Sequence, residues 1–469
     1  MNNNNSNATA AVPEPSSSAA KPGLAKNLTK SPRLRRIQWI ALALLVLAGF
    51  VNYLDRSTLA IANQTISQEL HFTPTEMGLL LSVFSWAYAI VQLPIGGILD
   101  RFGARLTLGV GICLWSIAQG VLGLLSTLPA MIMARIGLGV GEAPQFPAGA
   151  KVVSEWFNIR ERGLPSGIFN MSSSLGPAIS QPILTALLLW MGWRQMFLAM
   201  GLLGVGVAIV WYLSYRNRSE VELTQEEQDY LNEGIRQQDR EGQLSFAEWR
   251  GLFRLRVTWG VVFGYIGIIY MLSLFLTWMP AYLERTHQLS LAHAGWVASL
   301  PFLAGAFGVI SGGLLVDRVI RSGASVSASR RWPICIGMIG SALFTLAAAY
   351  STGVVAAVSL FCAAMFSLNV AVAGTWSLVS VAVPSRMVAS LASIQNFGGY
   401  FGGAFAPVVT GIVVQQTGSF TNALVISAVI AVIGAACYFF LAKLPATPLQ
   451  APTAADDAGM APEAPGCRP

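Results

Sequence analysis

Gly96-Gly97-Ile98-Leu99-Asp100-Arg101-Phe102-Gly103-Ala104-Arg105 is a charged turn between two apolar runs, 75–99 and 104–126. A fainter second version, Gly312-Gly313-Leu314-Leu315-Val316-Asp317-Arg318, closes the run 292–316. Working outward from these turns, twelve apolar segments can be counted. Six precede a charged stretch at 216–256, near 38–62, 75–99, 104–126, 129–153, 162–190 and 194–215. Six follow it, near 257–283, 292–316, 332–351, 354–382, 387–416 and 419–442. About 20 apolar residues cross a bilayer as a helix, and only helices or closed barrels satisfy the backbone in lipid. The sequence therefore predicts an all-α integral membrane protein: twelve transmembrane helices in two six-helix halves, 37–215 and 257–443. A cytoplasmic linker, 216–256, joins the halves, and disordered tails, 1–36 and 444–469, flank them. Thr224 and Glu227 have the spacing of a capping box for a short linker helix.

Composition agrees. Apolar residues make up 54% of the 469 and charged residues only 11%, against about 25% charged in soluble domains. That excludes an ordinary soluble enzyme, a disordered chain and a nucleic-acid binder. The net charge of +7 belongs to the loops. With both termini inside, inside segments hold 25 Lys and Arg, while outside loops hold only Arg194 and Arg285. This split sets the orientation under the positive-inside rule. The five cysteines stand singly, so no disulfide framework, zinc site or other metal is expected.

Charges within the spans are few. Asp55, Arg56, Arg135 and Glu142 all fall in helices one and four. Each costs about 2.5–3.5 kcal/mol on insertion scales, and such residues mark function by default. Arg135 and Glu142 are two turns apart on one face, about 10 Å along the axis. Asp55 and Arg56 are about 100° apart, so they cannot point at one spot. A guanidinium is a donor fork suited to a carboxylate, and a buried carboxylate can be poised to load and release a proton. His71, His287 and His293 lie in or beside outside loops, so proton coupling falls to Asp55 or Glu142. Neutral polar groups point to a hydroxyl-rich ligand: Tyr53, Tyr88, Asn170, Ser172–Ser174, Thr375 and Gln395-Asn396, with Trp376 as a stacking face. Any of these could instead bond a neighbouring helix.

Two six-helix halves with a shared turn are one plan for a secondary transporter. The Asp100-Arg101-x-Gly103-x-Arg105 turn and the twelve-helix plan resemble the major facilitator superfamily, over about 37–444. Asn52-Tyr53-Leu54-Asp55-Arg56, Gly141-Glu142-Ala143-Pro144-x-Phe146-Pro147, Glu155-Trp156-Phe157 and Phe275-Leu276-Thr277-Trp278-x-Pro280 are similar to the anion:cation symporter family. That family includes bacterial proton symporters of galactonate, glucarate and hexuronates, and the lysosomal sialic acid carrier. The resemblance implies the major facilitator fold in a bacterial inner membrane, and a non-enzymatic, cofactor-free proton symporter importing a small organic anion. A monomer in lipid with no nucleic-acid partner is expected. It implies that Asp55 and Glu142 are protonation sites, and that Arg56 and Arg135 take the charged-gate and substrate-carboxylate positions. The expected assignment has Arg56 meeting the substrate first and Arg135 partnering Glu142. Tyr53, Tyr88, Thr375, Trp376 and Asn396 would line the substrate. Tyr265 stands where sugar-acid members tend to carry Gln, which favours a ring-form hexuronate such as galacturonate, or a flatter aromatic acid. Galactonate, glucarate, tartrate or phthalate are alternatives. An antiporting exporter, a membrane enzyme and a transport-deficient nutrient sensor are weaker rivals. Asp100, Arg101, Arg105, Asp317 and Arg318 are expected to form an inter-helix charge latch that gates one conformation. Pro144, Pro147, Pro177 and Pro182 are expected to interrupt helices four and five.

Overall fold

The computed structural model describes residues 30–158, 161–232, 246–322 and 325–443. Among these, all regular structure is helical. The first group is α1 (Pro32–Ile61), α2 (Asn63–Leu70), α3 (Pro74–Leu122), α4 (Leu128–Glu142), α5 (Gln145–Trp156) and α6 (Gly163–Ser214). Two short helices, α7 (Gln225–Asn232) and α8 (Phe246–Gly251), follow. The last group is α9 (Arg256–His287), α10 (Leu291–Arg321), α11 (Val326–Ala349), α12 (Val354–Ala382), α13 (Ser385–Gly403), α14 (Phe405–Thr417) and α15 (Thr421–Phe440).

Nine helical stretches among the described residues are long and apolar enough to cross a membrane. Two of them are double. α3 passes through a non-helical Gly103 (φ 74°) and α6 through a non-helical Gly192 (φ 80°). A positive φ of this kind suits glycine, which has no Cβ to clash. α4 and α5 are successive pieces parted at Ala143-Pro144. All twelve apolar segments read from the sequence thus fall on helix. The proline expectation holds at Pro144 only. α6 stays helical through Pro177 and Pro182, and its break comes at Gly192.

α1 begins at Pro32, with Ser31 accepting a hydrogen bond from the Leu34 amide. The helix thus starts within the stretch 1–36 that the sequence assigns to the tail. Lys30 pairs with Glu161, and the Ser31 hydroxyl donates to Glu227 on α7. Tyr230 of α7 donates to Glu161. The Thr224–Glu227 capping box is present in both directions. Residues 1–29 and 444–469 lie outside the described residues.

α1, α3, α4, α5 and α6 pack among themselves, as do α9 to α15. The two groups meet through α3 against α13 and α14, α6 against α10, and α1 against α9. At one end this contact is close. A methyl on Gly78 would sit 2.5 Å from the Pro407 carbonyl oxygen, and one on Gly411 would sit 2.2 Å from that of Pro74. The same end is joined by Arg285 Nε donating to Gln64 Oε1 at 2.6 Å and the Val408 amide to Ser82 Oγ at 3.0 Å. At the opposite end, around the Asp100 turn, Gly96, Gly97 and Gly313 meet nothing within 4 Å.

Candidate functional site

Glycines let α4 approach both halves of α3. A methyl on Gly139 would lie 2.4 Å from the Phe84 carbonyl oxygen, and one on Gly141 would lie 2.6 Å from the Trp115 amide nitrogen. This close approach brings Glu142, the last residue of α4, against α1. There Arg56 Nε donates to Glu142 Oε2 at 2.7 Å. Arg56 is 6% exposed and Glu142 fully buried. Breaking such a pair by removing one partner costs about 3–5 kcal/mol.

Aromatic rings surround the guanidinium. The Arg56 Cζ lies 4.8 Å from the Tyr88 ring centre, 5.1 Å from that of Phe84 and 5.3 Å from that of Tyr53. A guanidinium over ring faces gains about 0.5–2 kcal/mol per contact. Its Nη2 has no hydrogen-bond partner, nor does Arg135 Nη1. Two buried cations thus keep donors unused. Tyr88 meets Tyr400 of α13 with ring centres 4.9 Å apart, so the cage opens onto the second helix group. On that side Tyr265 meets Trp376 edge-on at 6.4 Å.

Arg135 and Glu142, expected as coupling partners, share no hydrogen bond in the structure, though their charges lie close enough to interact. Arg135 Nε donates to the Leu80 carbonyl at 3.2 Å and its guanidinium lies 4.9 Å from the Phe84 ring centre. Arg56, expected to meet the substrate first, is the hydrogen-bonding partner of Glu142. The reason is the two-turn separation along α4, which leaves Arg135 a level away from Glu142. Asp55 turns away from Arg56, as their 100° offset requires. It is fully buried near Trp115, with both carboxyl oxygens unpartnered.

Thr375 is buried, and its hydroxyl bonds the Val372 carbonyl of its own helix at 2.8 Å. Trp376 is 43% exposed. Asn396 is partly buried. Asn170 and Ser173 are turned back onto their own helix. In the expected latch, Asp100 accepts from Lys151 at 2.8 Å, and Arg105 donates to Glu220 at 2.8 Å. Arg101 lies over the Phe102 ring, and Arg318 is exposed. The side chain of Asp317, like that of Ser174, lies outside the described residues. The partners Lys151 and Glu220 were not singled out from the sequence. Nor were Phe84 and Tyr400, and Asn52 entered only as part of the Asn52-Tyr53-Leu54-Asp55-Arg56 motif. Helical spacing could have found them: Asn52 is three before Asp55, Phe84 four before Tyr88, and Tyr400 four after Asn396.

Comparisons with known proteins agree with this architecture. A family model described as the Major Facilitator Superfamily matches residues 45–402 and 288–465. The chain is 47% identical to the probable L-galactonate transporter of Escherichia coli (strain K12), over 92% of this chain and 95% of that protein. It is 31% identical to the D-galactonate transporter of Escherichia coli O6:H1, over 90% and 97%. It is also 31% identical to the probable galactarate/D-glucarate transporter of Bacillus subtilis (strain 168), over 85% and 90%. Among solved structures, a bacterial homolog of the human lysosomal transporter Spinster, inward-facing and unoccupied, superposes with a TM-score of 0.74 at 18% identity. That match covers 88% of this chain and 98% of the other. With the fold, the break at Ala143-Pro144 and the paired charges on α1 and α4, these matches place the chain in the major facilitator superfamily.

Proposed function

We propose that the protein is a proton-coupled symporter that imports an open-chain sugar acid of the galactonate type across a bacterial inner membrane. The observation that carries this is the sealed Arg56–Glu142 pair with a spare guanidinium donor, Nη2, inside an aromatic cage. A substrate carboxylate and the Glu142 carboxylate compete for the same guanidinium. When Glu142 takes a proton it gives up its charge, and Arg56 is released to bind the substrate. When substrate leaves, the proton leaves and the pair re-forms. Asp55 supplies a second protonation site. Tyr53, Tyr88, Tyr265, Tyr400, Trp376 and Asn396 offer hydroxyl, amide and ring contacts to the polyol chain. Arg135 holds a positive field beside the pair.

The relatives' names favour the aldonate alternative over the hexuronate that Tyr265 suggested from the sequence. The orientation rests on the charge split, which puts both termini and the Asp100 turn in the cytoplasm. In that orientation the closely packed end faces outward, and the conformation is open to the cytoplasm. Each pH unit supplies about 1.4 kcal/mol per proton. Each net positive charge moved inward adds about 2.3 kcal/mol per 100 mV.

The test is uptake of labelled L-galactonate into proteoliposomes with and without an inward proton gradient. Galacturonate, D-galactonate and glucarate serve as competitors. Accumulation above equilibrium that needs the gradient is the expected result. Equilibration indifferent to the gradient removes the coupling. Competition by galacturonate alone moves the substrate to the hexuronate class.

A further inference from the structure

Asn52 lies three residues before Asp55 and four before Arg56, so it shares a helix face with both. It is fully buried. Neither the nitrogen nor the oxygen of its amide has a hydrogen-bond partner. On the face that it shares with Arg56 it lies toward Glu142, which Arg56 holds through Nε. The Oε2 of Glu142 is held by Arg56, while its Oε1 has no partner. An unsatisfied buried polar group costs about 1–3 kcal/mol. A packing role would be served better by an apolar side chain, or by an amide bonded to a neighbouring helix. An amide kept unbonded next to one free carboxylate oxygen is placed for something that changes there.

We propose that Asn52 is a positioning residue for the protonation of Glu142. A side-chain amide is both donor and acceptor. With Glu142 charged and bound to Arg56, the amide N–H is free to turn onto Oε1, a contact left open in the conformation described here. When a proton arrives, an O–H bond forms at Oε1 and the ion pair with Arg56 is lost. The amide, turned by half a rotation, then accepts that O–H through its oxygen. One neutral side chain thus serves both states of the Glu142 carboxyl group. Asp55 and Tyr53 on α1, Tyr88 on α3, Arg135 on α4 and Tyr400 on α13 are the titratable groups around the Arg56–Glu142 pair. Replacing Asn52 changes none of these charges. The inference rests on the reading of Glu142 as a proton site.

The experiment is the pH profile of gradient-driven L-galactonate uptake for wild type, Asn52→Leu and Asn52→Ser, alongside exchange at equal pH on both sides. A hydrogen bond to a charged group outweighs one between neutral groups, so losing the amide favours the protonated form. The pH of half-maximal uptake is therefore expected to rise by about one unit in Asn52→Leu, a tenfold change in proton affinity. A smaller rise is expected in Asn52→Ser, with exchange retained in both. Should the leucine variant fail to fold, the serine variant carries the same reading. A wild-type midpoint in the folded variants overturns the proposal. So does an equal loss of uptake and exchange with the midpoint unmoved, which is the mark of packing alone. A pH-dependent wild type with unmoved variants removes Asn52 only. A wild type indifferent to pH removes the proton reading of Glu142 with it.

Discussion

The first helix group and the last share a plan and divide the polar residues unequally. Among the described residues, every buried charge in a membrane helix lies in the first group: Asp55, Arg56, Arg135 and Glu142. The interior of the last group holds neutral groups such as Thr375 and Gln395, and it turns aromatic faces, Tyr265 and Tyr400, toward the first. Intramembrane charge is expensive. On the proposed function, concentrating it in one half would let a single body carry the charge change while the other supplies shape and hydroxyls. Coupling and selectivity are then separable, and mutations in the two halves are expected to fail differently.

The sharpest break of that comparison is Arg56→Ala. It leaves Glu142 buried without its partner and removes the carboxylate fork. The cost of about 3–5 kcal/mol corresponds to a loss of uptake of at least about 100-fold, with a fall in thermal stability. Arg56→Lys keeps the charge and is expected to recover only part of the uptake. Near-normal uptake in Arg56→Ala would remove the first half's claim to the chemistry.

Next in size is the closely packed end. Gly78→Val places a side chain against the Pro407 carbonyl, 2.5 Å from where a methyl would begin. Overpacking of this kind costs about 1–3 kcal/mol, so the population is expected to shift toward the conformation open at that end. Labelling of a cysteine placed on the α3–α14 contact should rise by about tenfold. Unchanged labelling would mean that the contact does not distinguish the two conformations.

Tyr400→Phe sharpens the comparison from the other side. Losing one neutral hydrogen bond to the substrate costs about 0.5–1.5 kcal/mol. The KM for L-galactonate should therefore rise about 3–10-fold while the pH midpoint stays put. A moved midpoint would show that the second half shares in coupling.

The smallest effect concerns the linker. The hydrogen bond from Ser31 holds the Glu227 carboxyl below the usual range. A lowered value means that this contribution is present above about pH 4.3, the ordinary glutamate value, and is lost as pH falls through the lower folded value. Ser31→Ala should make the linker protease-sensitive at a pH a few tenths of a unit higher than wild type. An unshifted onset would show that α7 docks without Ser31.

The apolar helical spans were legible because hydropathy reports what lipid demands of a backbone. The four buried charges were legible because lipid makes them rare. The Arg56–Glu142 bond was not. Helical spacing tells which residues of one helix share a face, and not which neighbour that face meets. The approach of α4 to α3 through Gly139 and Gly141 decided it. Residues 32–36 were read as tail because Arg33, Arg35 and Arg36 hide a capped helix start from any hydropathy measure. Tyr400 was missed because tyrosine is ordinary in a membrane span. Its significance appears only across the gap, against Tyr88.

The closely packed end is shut by glycine against carbonyl, and Arg285 is met there by the neutral amide of Gln64. Such a seal resembles a well-fitted stopper more than a lock. Among the described residues no ion pair joins the two helix groups at this end. The sign of net transport is then left to the gradients alone. A vesicle loaded with substrate and made acidic inside is expected to run the carrier backward as readily as forward.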